Sequence, residues 1–171
     1  MKVALFALSV SLCLAIPASP ARAERTLIDL DTAPGNYSVW KVTDVRASSV
    51  TFTATFAKVQ KHERWVPRYT VTLSDANGHS VTFGGSYVNA KKPQTSVTLR
   101  AGAKEALLPA DSILSLPLEA HVNVRLEWLD ESVKVTVDGQ QQEYKVGFAP
   151  SQIEISASTG ELEVADIQFG N

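Results

Sequence analysis

Hydrophobic and polar residues alternate along most of the chain from residue 24 to its end. In the segments 50–56, 68–75 and 121–128, every second side chain is apolar, and threonine, serine or charged residues stand between them. A period of two residues is that of a β-strand with one buried face, and β-branched residues favour the same structure. No window shows the period of 3.6 residues that marks an amphipathic helix. The pattern therefore predicts an all-β protein.

Turn-forming residues separate these alternating segments. Asp75–Gly78 and Asp138–Gly139 predict hairpins, because Asn or Asp followed by Gly tolerates the positive φ that tight hairpin turns need. Pro34–Gly35 and Thr159–Gly160 predict two further turns. The apolar stretch 107–118 contains two prolines, so we expect a packed connecting loop or a short helical turn there. Ten or eleven short strands without intervening helices predict one domain, a two-sheet antiparallel jelly-roll sandwich.

The first 23 residues have the features of a secretory signal peptide. A positive charge at Lys2 precedes an apolar run at residues 3–16, and Ala21-Arg22-Ala23 has the small-x-small pattern of a cleavage site. We therefore expect residues 24–171 to form a single β-sandwich domain in the periplasm or outside the cell. A membrane anchor would need a longer apolar run. A lipoprotein would use Cys13, but a bulky leucine precedes it.

Composition removes several classes of function. The chain has 171 residues, a formal net charge of −2 and one cysteine. That balance gives no basic surface for nucleic acid, and a single cysteine excludes an internal disulfide or a zinc site built from cysteines. The sequence contains no G-x-S-x-G or H-E-x-x-H motif and no glycine-rich phosphate loop. We expect no cofactor, no metal site and no membrane insertion, while the oligomeric state stays open.

The last third of the chain resembles a known superfamily. The segments HVNVRLEWLDESVKVTVDGQQQEYKV and FAPSQIEISASTGELEVADIQF follow the order of the closing strands in concanavalin A-like jelly rolls. That superfamily includes laminin-G-like modules, legume-type lectins, galectins and several glucanases. The resemblance implies two curved sheets whose concave face or rim often holds saccharide. Fold-level resemblance does not by itself establish a function.

Three carboxylates near the C-terminus, Glu161, Glu163 and Asp166, are spaced like the catalytic motif of retaining glucanases in this superfamily. The Glu and Asp identities are exchanged, however, and in those enzymes the motif lies in the middle of the chain. The apolar face also changes phase near Ala165, which predicts a β-bulge and leaves both glutamates on the solvent side. We therefore expect a protein that is not an enzyme.

A second candidate is the run His121-x-Asn123-x-Arg125, whose alternation places all three side chains on one face of a strand. Galectins bind galactosides through an H-x-N-x-R run. This chain lacks the W-x-x-E-x-R pattern that follows it in galectins, and the run falls later among the strands. The three residues are therefore either ligand contacts or the ordinary polar face of a sheet.

A third candidate is the basic loop around Trp65, because tryptophan and arginine often anchor interfaces. Its basic residues are Lys58, Lys61, Arg64, Arg68 and, in part, His62. We expect Trp65 to be exposed and to bind a ligand, although it could instead pack inward. Further candidate contacts are Tyr69, Tyr87 and Asn89.

Together these patterns predict an exported, non-catalytic module that binds carbohydrate or envelope glycan. The alternative is a periplasmic factor that binds an envelope protein, such as an inhibitor, an immunity protein or an accessory subunit. A glycoside hydrolase or lyase is a weaker third reading. Asp29 and Asp31 leave open a contribution to calcium binding, but two carboxylates fall short of the six to eight oxygens that calcium takes.

Overall fold

The structure is a computed structural model, and the residues that it describes are 27–60, 62–88, 93–101, 104–109 and 113–171. The predicted signal peptide, the expected new N-terminus at Glu24, Lys61 and Asn89 lie outside these ranges. Within them, no helix is long and apolar enough to cross a membrane.

The described residues form ten antiparallel strands. They are β1 (Leu27–Val42), β2 (Ser49–Val59), β3 (Arg68–Ser74), β4 (Ser80–Ser86), β5 (Gln94–Ala101), β6 (Lys104–Leu108), β7 (Val122–Leu129), β8 (Ser132–Val137), β9 (Gln140–Lys145) and β10 (Gln152–Gly170). Strands β2, β3 and β7 cover the three alternating segments of the sequence analysis. The hydrogen-bonded order is β6-β5-β4-β3-β10-β2-β7-β8-β9, and β1 pairs with β10.

The long strands β1 and β10 pass from one layer to the other and join the two layers into a sandwich. Residues 152–158 of β10 pair with β3, whereas residues 160–170 pair with β2. We call the layer of β3, β4, β5 and β6 the β3 sheet, and the layer of β2, β7, β8 and β9 the β7 sheet. The turns predicted at Pro34–Gly35 and Thr159–Gly160 are wrong, because both pairs are bends inside a continuous strand.

Alternation along the strands builds the core between the two sheets. The apolar side chains of β2, β3 and β7 point inward and are buried, while their polar neighbours point outward. Aromatic rings meet across the interior, with the centroids of Phe56 and Tyr69 5.8 Å apart and those of Phe83 and Tyr144 5.5 Å apart. The predicted all-β, two-sheet jelly-roll sandwich is therefore confirmed.

Other local predictions are partly confirmed. Gly78 and Gly139 adopt positive φ at the two predicted hairpin turns. The stretch 107–118 differs from its prediction at the start, because Leu107 and Leu108 end the edge strand β6. Its later part packs as a loop, with Ile113, Leu114 and Leu116 buried in the core.

Candidate functional site

A shallow groove of about 310 Å³ lies on the outer face of the β7 sheet. Strand register places polar side chains there in two rows across the sheet. One row joins Gln168 of β10, Thr51 of β2, Arg125 of β7 and Thr136 of β8. The groove is lined by Thr51, Phe52, Thr53, Asn123, Val124, Arg125, Thr136, Asp138, Gly139, Asp166 and Gln168.

Asn123 stands in the second row, held between two neighbours. Its side-chain oxygen accepts a hydrogen bond from the Thr53 hydroxyl at 3.3 Å, and its Nδ2 lies 3.4 Å from Oδ1 of Asp138. The same carboxylate oxygen accepts the Asn123 backbone N–H at 2.9 Å. Both side chains therefore have fixed orientations while remaining exposed, as pre-organised ligand contacts require.

Arg125 belongs to a small charged network at the edge of the groove. Its Nη2 lies 2.8 Å from one oxygen of Glu127, and Nζ of Lys134 lies 3.1 Å from the other. Hydrogen bonds from Arg125 and then from Lys134 hold the pKa of the Glu127 carboxyl below its usual range. The network has one carboxylate between two cations, and the groove also contains the carboxylates of Asp138 and Asp166.

The structure brings together two members of the predicted run and leaves the third beside them. His121, Asn123 and Arg125 are all exposed on one face, as alternation predicts. Only Asn123 and Arg125 line the groove. The His121 ring lies further along the sheet, where its Nδ1 is 2.7 Å from the Thr55 hydroxyl.

Sequence reasoning missed the groove residues that other strands contribute. Thr51 and Thr53 alternate like any strand residues, and only the register of β2 against β7 sets them opposite Arg125 and Asn123. Asp166 reaches the groove because the bulge predicted near Ala165 is present, as a register shift after that residue. The change of phase of the apolar face near Ala165 was the one sequence signal for the position of Asp166.

The loop 62–66, between β2 and β3, carries the basic tryptophan surface predicted from the sequence, and none of its residues lines the groove. Trp65 is 44% exposed and Arg64 is also exposed. Backbone N–H groups of Arg64 and Trp65 both donate to Nδ1 of His62, each at 3.1 Å. Of the two alternatives for Trp65, the structure shows the exposed one, and the histidine ring fixes the conformation of its backbone.

Tyr69 and Tyr87 are wrong as candidate ligand contacts. They are 1% and 4% exposed, and alternation turns Tyr69 into the core. The Tyr69 hydroxyl donates to the Leu114 carbonyl at 2.5 Å, and the Tyr87 hydroxyl donates to that of Leu116. Burial raises the pKa of both hydroxyls, so both stay protonated donors. Their polar atoms hold the loop after β6 in place.

The carboxylates of the late motif lie on the outer face of the β7 sheet. Glu163 stands opposite Asp29 of β1, and Glu161 stands opposite Asp31. Like charges directly opposite each other on a sheet are mildly destabilising. Among the described residues, no group of three or more His, Cys, Asp or Glu side chains is placed to hold a metal ion.

Solved structures with the same fold include lectins and enzymes. A double mutant of congerin II matches with a TM-score of 0.55 and 8% identity, over 77% of this chain and 98% of that one. A homodimeric agglutinin from chicken liver, CG-16, matches with a TM-score of 0.54 and 12% identity, over 78% and 100%.

One of the enzymes is the Crh5 transglycosylase, which matches with a TM-score of 0.58 and 8% identity, over 90% of this chain and 81% of that one. No protein-family model and no curated protein sequence matches this chain. At these identities the comparisons show the fold, which is that of the concanavalin A-like lectins and glucanases, as the closing strands indicated.

Proposed function

We propose that the protein is an exported, non-catalytic module that binds carbohydrate in the groove of the β7 sheet. One observation carries this proposal. Asn123 and Arg125, two residues of the run that sequence analysis selected, are among those that line the groove on this sheet. The leader-like first 23 residues support export.

The groove offers the hydrogen-bonding groups that sugar hydroxyls need. Asn123 and Arg125 supply planar donors, and Asp138 supplies acceptors, while Thr51 and Thr53 add hydroxyls that donate or accept. A polar ligand gains from such a site only when the groups are already oriented. Here hydrogen bonds and ion pairs within the groove hold Asn123, Asp138 and Arg125 in place.

Carboxylate spacing supports a non-catalytic role. Glycosidases place two carboxyl groups about 5–10 Å apart across the scissile bond. The groove contains Asp138 and Asp166, which lie at β8 and β10 with β2 and β7 between them. The Asp138 carboxylate is already engaged by the backbone N–H and the side-chain amide of Asn123. Glu161 and Glu163 do not line the groove.

A glycan array tests the proposal with neutral oligosaccharides that contain galactose, glucose or N-acetylglucosamine. We expect the wild-type protein to bind a subset of them, and Asn123→Ala to weaken that binding at least tenfold, which corresponds to about 1.4 kcal/mol. The matched control is Gln94→Ala, which removes an exposed amide from β5 on the other sheet and leaves binding unchanged.

Three results would contradict the proposal, two on binding and one on catalysis. Wild-type protein that binds no neutral saccharide, or Asn123→Ala that binds as tightly as wild type, removes the groove as the site. Cleavage of a β-glucan by the purified protein, lost in the folded Glu161→Gln, Glu163→Gln double variant, overturns the non-catalytic part.

A further inference from the structure

A second surface combines aromatic side chains with guanidinium groups, and the groove does not include it. We call it the Trp65 patch, and it consists of Tyr37, Arg64, Trp65, Val66 and Arg68. Tyr37 of β1 and Arg68 of β3 flank Ser158 of β10 in one row across three hydrogen-bonded strands. The Ser158 hydroxyl also donates to the Val66 carbonyl at 3.5 Å. The loop and the strand row therefore form one continuous surface.

Large apolar area is exposed on this patch. Tyr37 is 67% exposed, and Trp65 and Val66 are each more than two-fifths exposed. Aromatic rings present a flat apolar face with a polar edge, which suits a ligand that is apolar on one side and hydroxylated on the other. Sugar rings have that character.

The loop that carries Trp65 has a defined conformation. Nδ1 of His62 accepts two backbone N–H groups, so the ring acts as a cap for the loop. The other side of that ring packs on Gly35, where an added Cβ would lie 2.9 Å from Nε2. Glycine is needed at this bend both for the close contact and for its φ of +80°. A pre-organised loop loses less entropy on binding.

The charge of the patch is positive within a chain of net negative charge. Arg64 and Arg68 are exposed, and neither forms an ion pair with any residue in the ranges that the structure describes. Glu63 is the one carboxylate in the described loop 62–66. Guanidinium groups bind carboxylates through two parallel hydrogen bonds and also stack on aromatic rings.

The surface that adjoins the patch is mainly hydroxylated, and it also carries the exposed apolar side chain of Val39, opposite Ser156. The outer face of the β3 sheet carries rows of Ser and Thr, with Thr70 bonded to Ser156 at 2.7 Å and Thr72 to Thr82 at 3.0 Å. Cores of protein interfaces are apolar and aromatic, and this face continues the patch with hydroxyls instead. The arrangement suits a polar chain lying along the sheet.

We infer that the Trp65 patch binds carboxylate-bearing saccharides, with Trp65 and Tyr37 stacking on sugar rings and Arg64 and Arg68 pairing with uronate groups. The inference rests on the proposed function in taking the ligand to be a saccharide. The inferred site is the Trp65 patch instead of the groove, and the inferred ligand is charged instead of neutral.

Titration calorimetry with oligogalacturonate tests the inference, because the fully methyl-esterified oligomer has the same backbone without the charge. We expect the wild-type protein to bind the acid form at least tenfold more tightly than the ester, and less tightly as salt increases. The double variant Arg64→Gln, Arg68→Gln should lose that preference. The matched control Arg100→Gln, at the other end of the same outer face, should keep it.

Trp65→Ala separates stacking from charge, since it should weaken binding of the acid form at least tenfold while circular dichroism shows a folded protein. Asn123→Ala should bind oligogalacturonate as wild type does, so failure of the groove and failure of the patch give different results. Equal affinity for acid and ester, or no binding of either, overturns the inference. The inference is also overturned if the wild-type protein binds no saccharide but binds a protein ligand, and the arginine double variant loses that protein ligand.

Discussion

The protein uses aromatic residues in two opposite ways within a short stretch of chain. Phe56, Tyr69 and Tyr87 stack against one another in the core, with ring centroids 4.7 to 6.2 Å apart. Trp65 precedes Tyr69 by four residues, yet it is 44% exposed. The difference lies in position on the fold: Tyr69 is an inward residue of β3, and Trp65 belongs to the loop before it.

The polar atoms of the two groups also differ in use. The Tyr69 hydroxyl donates to the Leu114 carbonyl and accepts the N–H of Leu116, so it is fully engaged inside the molecule. The fold gives the exposed aromatic rings no comparable stabilisation. The comparison teaches that the core aromatics maintain the structure, while the Trp65 patch is available for a ligand.

The core side of this comparison predicts the largest effect on stability. Tyr69→Ala should lower the free energy of unfolding by about 3–5 kcal/mol, the range for large-to-small changes of a buried aromatic residue. Loss of the hydroxyl also leaves buried backbone groups of the 113–118 loop without their partner. Urea unfolding measures this, and Tyr37→Ala is the exposed control. A loss below about 1 kcal/mol would contradict the assignment of Tyr69 to the core.

Glu127 forms exposed ion pairs beside the groove, and its substitution should have a smaller effect on stability, with a defined pH dependence. Glu127→Gln should cost about 0.2–1 kcal/mol at pH 7, as exposed ion pairs do. Because the folded pKa of Glu127 is depressed, its contribution is present above the unfolded pKa of about 4.3. It is lost as pH falls through the folded pKa.

Urea unfolding of wild type and Glu127→Gln at pH 7 and at about pH 3 provides the measurement. The difference in stability should shrink at the lower pH. A difference that stays constant between the two values would show that the carboxylate charge does not contribute.

Substitution of the exposed Trp65 should have the smallest effect on stability. Trp65→Ala should change the free energy of unfolding by no more than about 0.5 kcal/mol, as for other surface positions. Urea unfolding next to Tyr69→Ala measures both under the same conditions. A loss of several kcal/mol would place Trp65 among the core residues and remove the Trp65 patch as a binding surface.

Strand positions could be read from the sequence because alternation follows directly from burial of one face. The same alternation selected Asn123 and Arg125 as a pair on one face. The choice of Tyr69 as a candidate contact is wrong because it goes against this alternation, which places Tyr69 on the same inward face as Val71 and Leu73. At this position the residue type indicated a ligand contact and the strand period indicated burial. The structure agrees with the strand period.

Two other features could not be read from local sequence. Pro34–Gly35 and Thr159–Gly160 predict turns because glycine and its neighbours favour bends, but only the pairing of β1 with β10 shows that both strands continue. The groove combines residues from β2, β7, β8 and β10, and this set depends on the register between strands distant in sequence. Alternation within one strand carries no information about that register.

The central claim is that neutral saccharide binds in the groove of the β7 sheet. A ¹H–¹⁵N NMR titration with the oligosaccharide that binds most tightly on the array tests it residue by residue. The account predicts saturable shifts clustered at the amides of Thr51, Thr53, Asn123 and Arg125, and none at the buried amides of β4. Shifts confined to other surfaces, with these four amides unchanged at saturation, would contradict it.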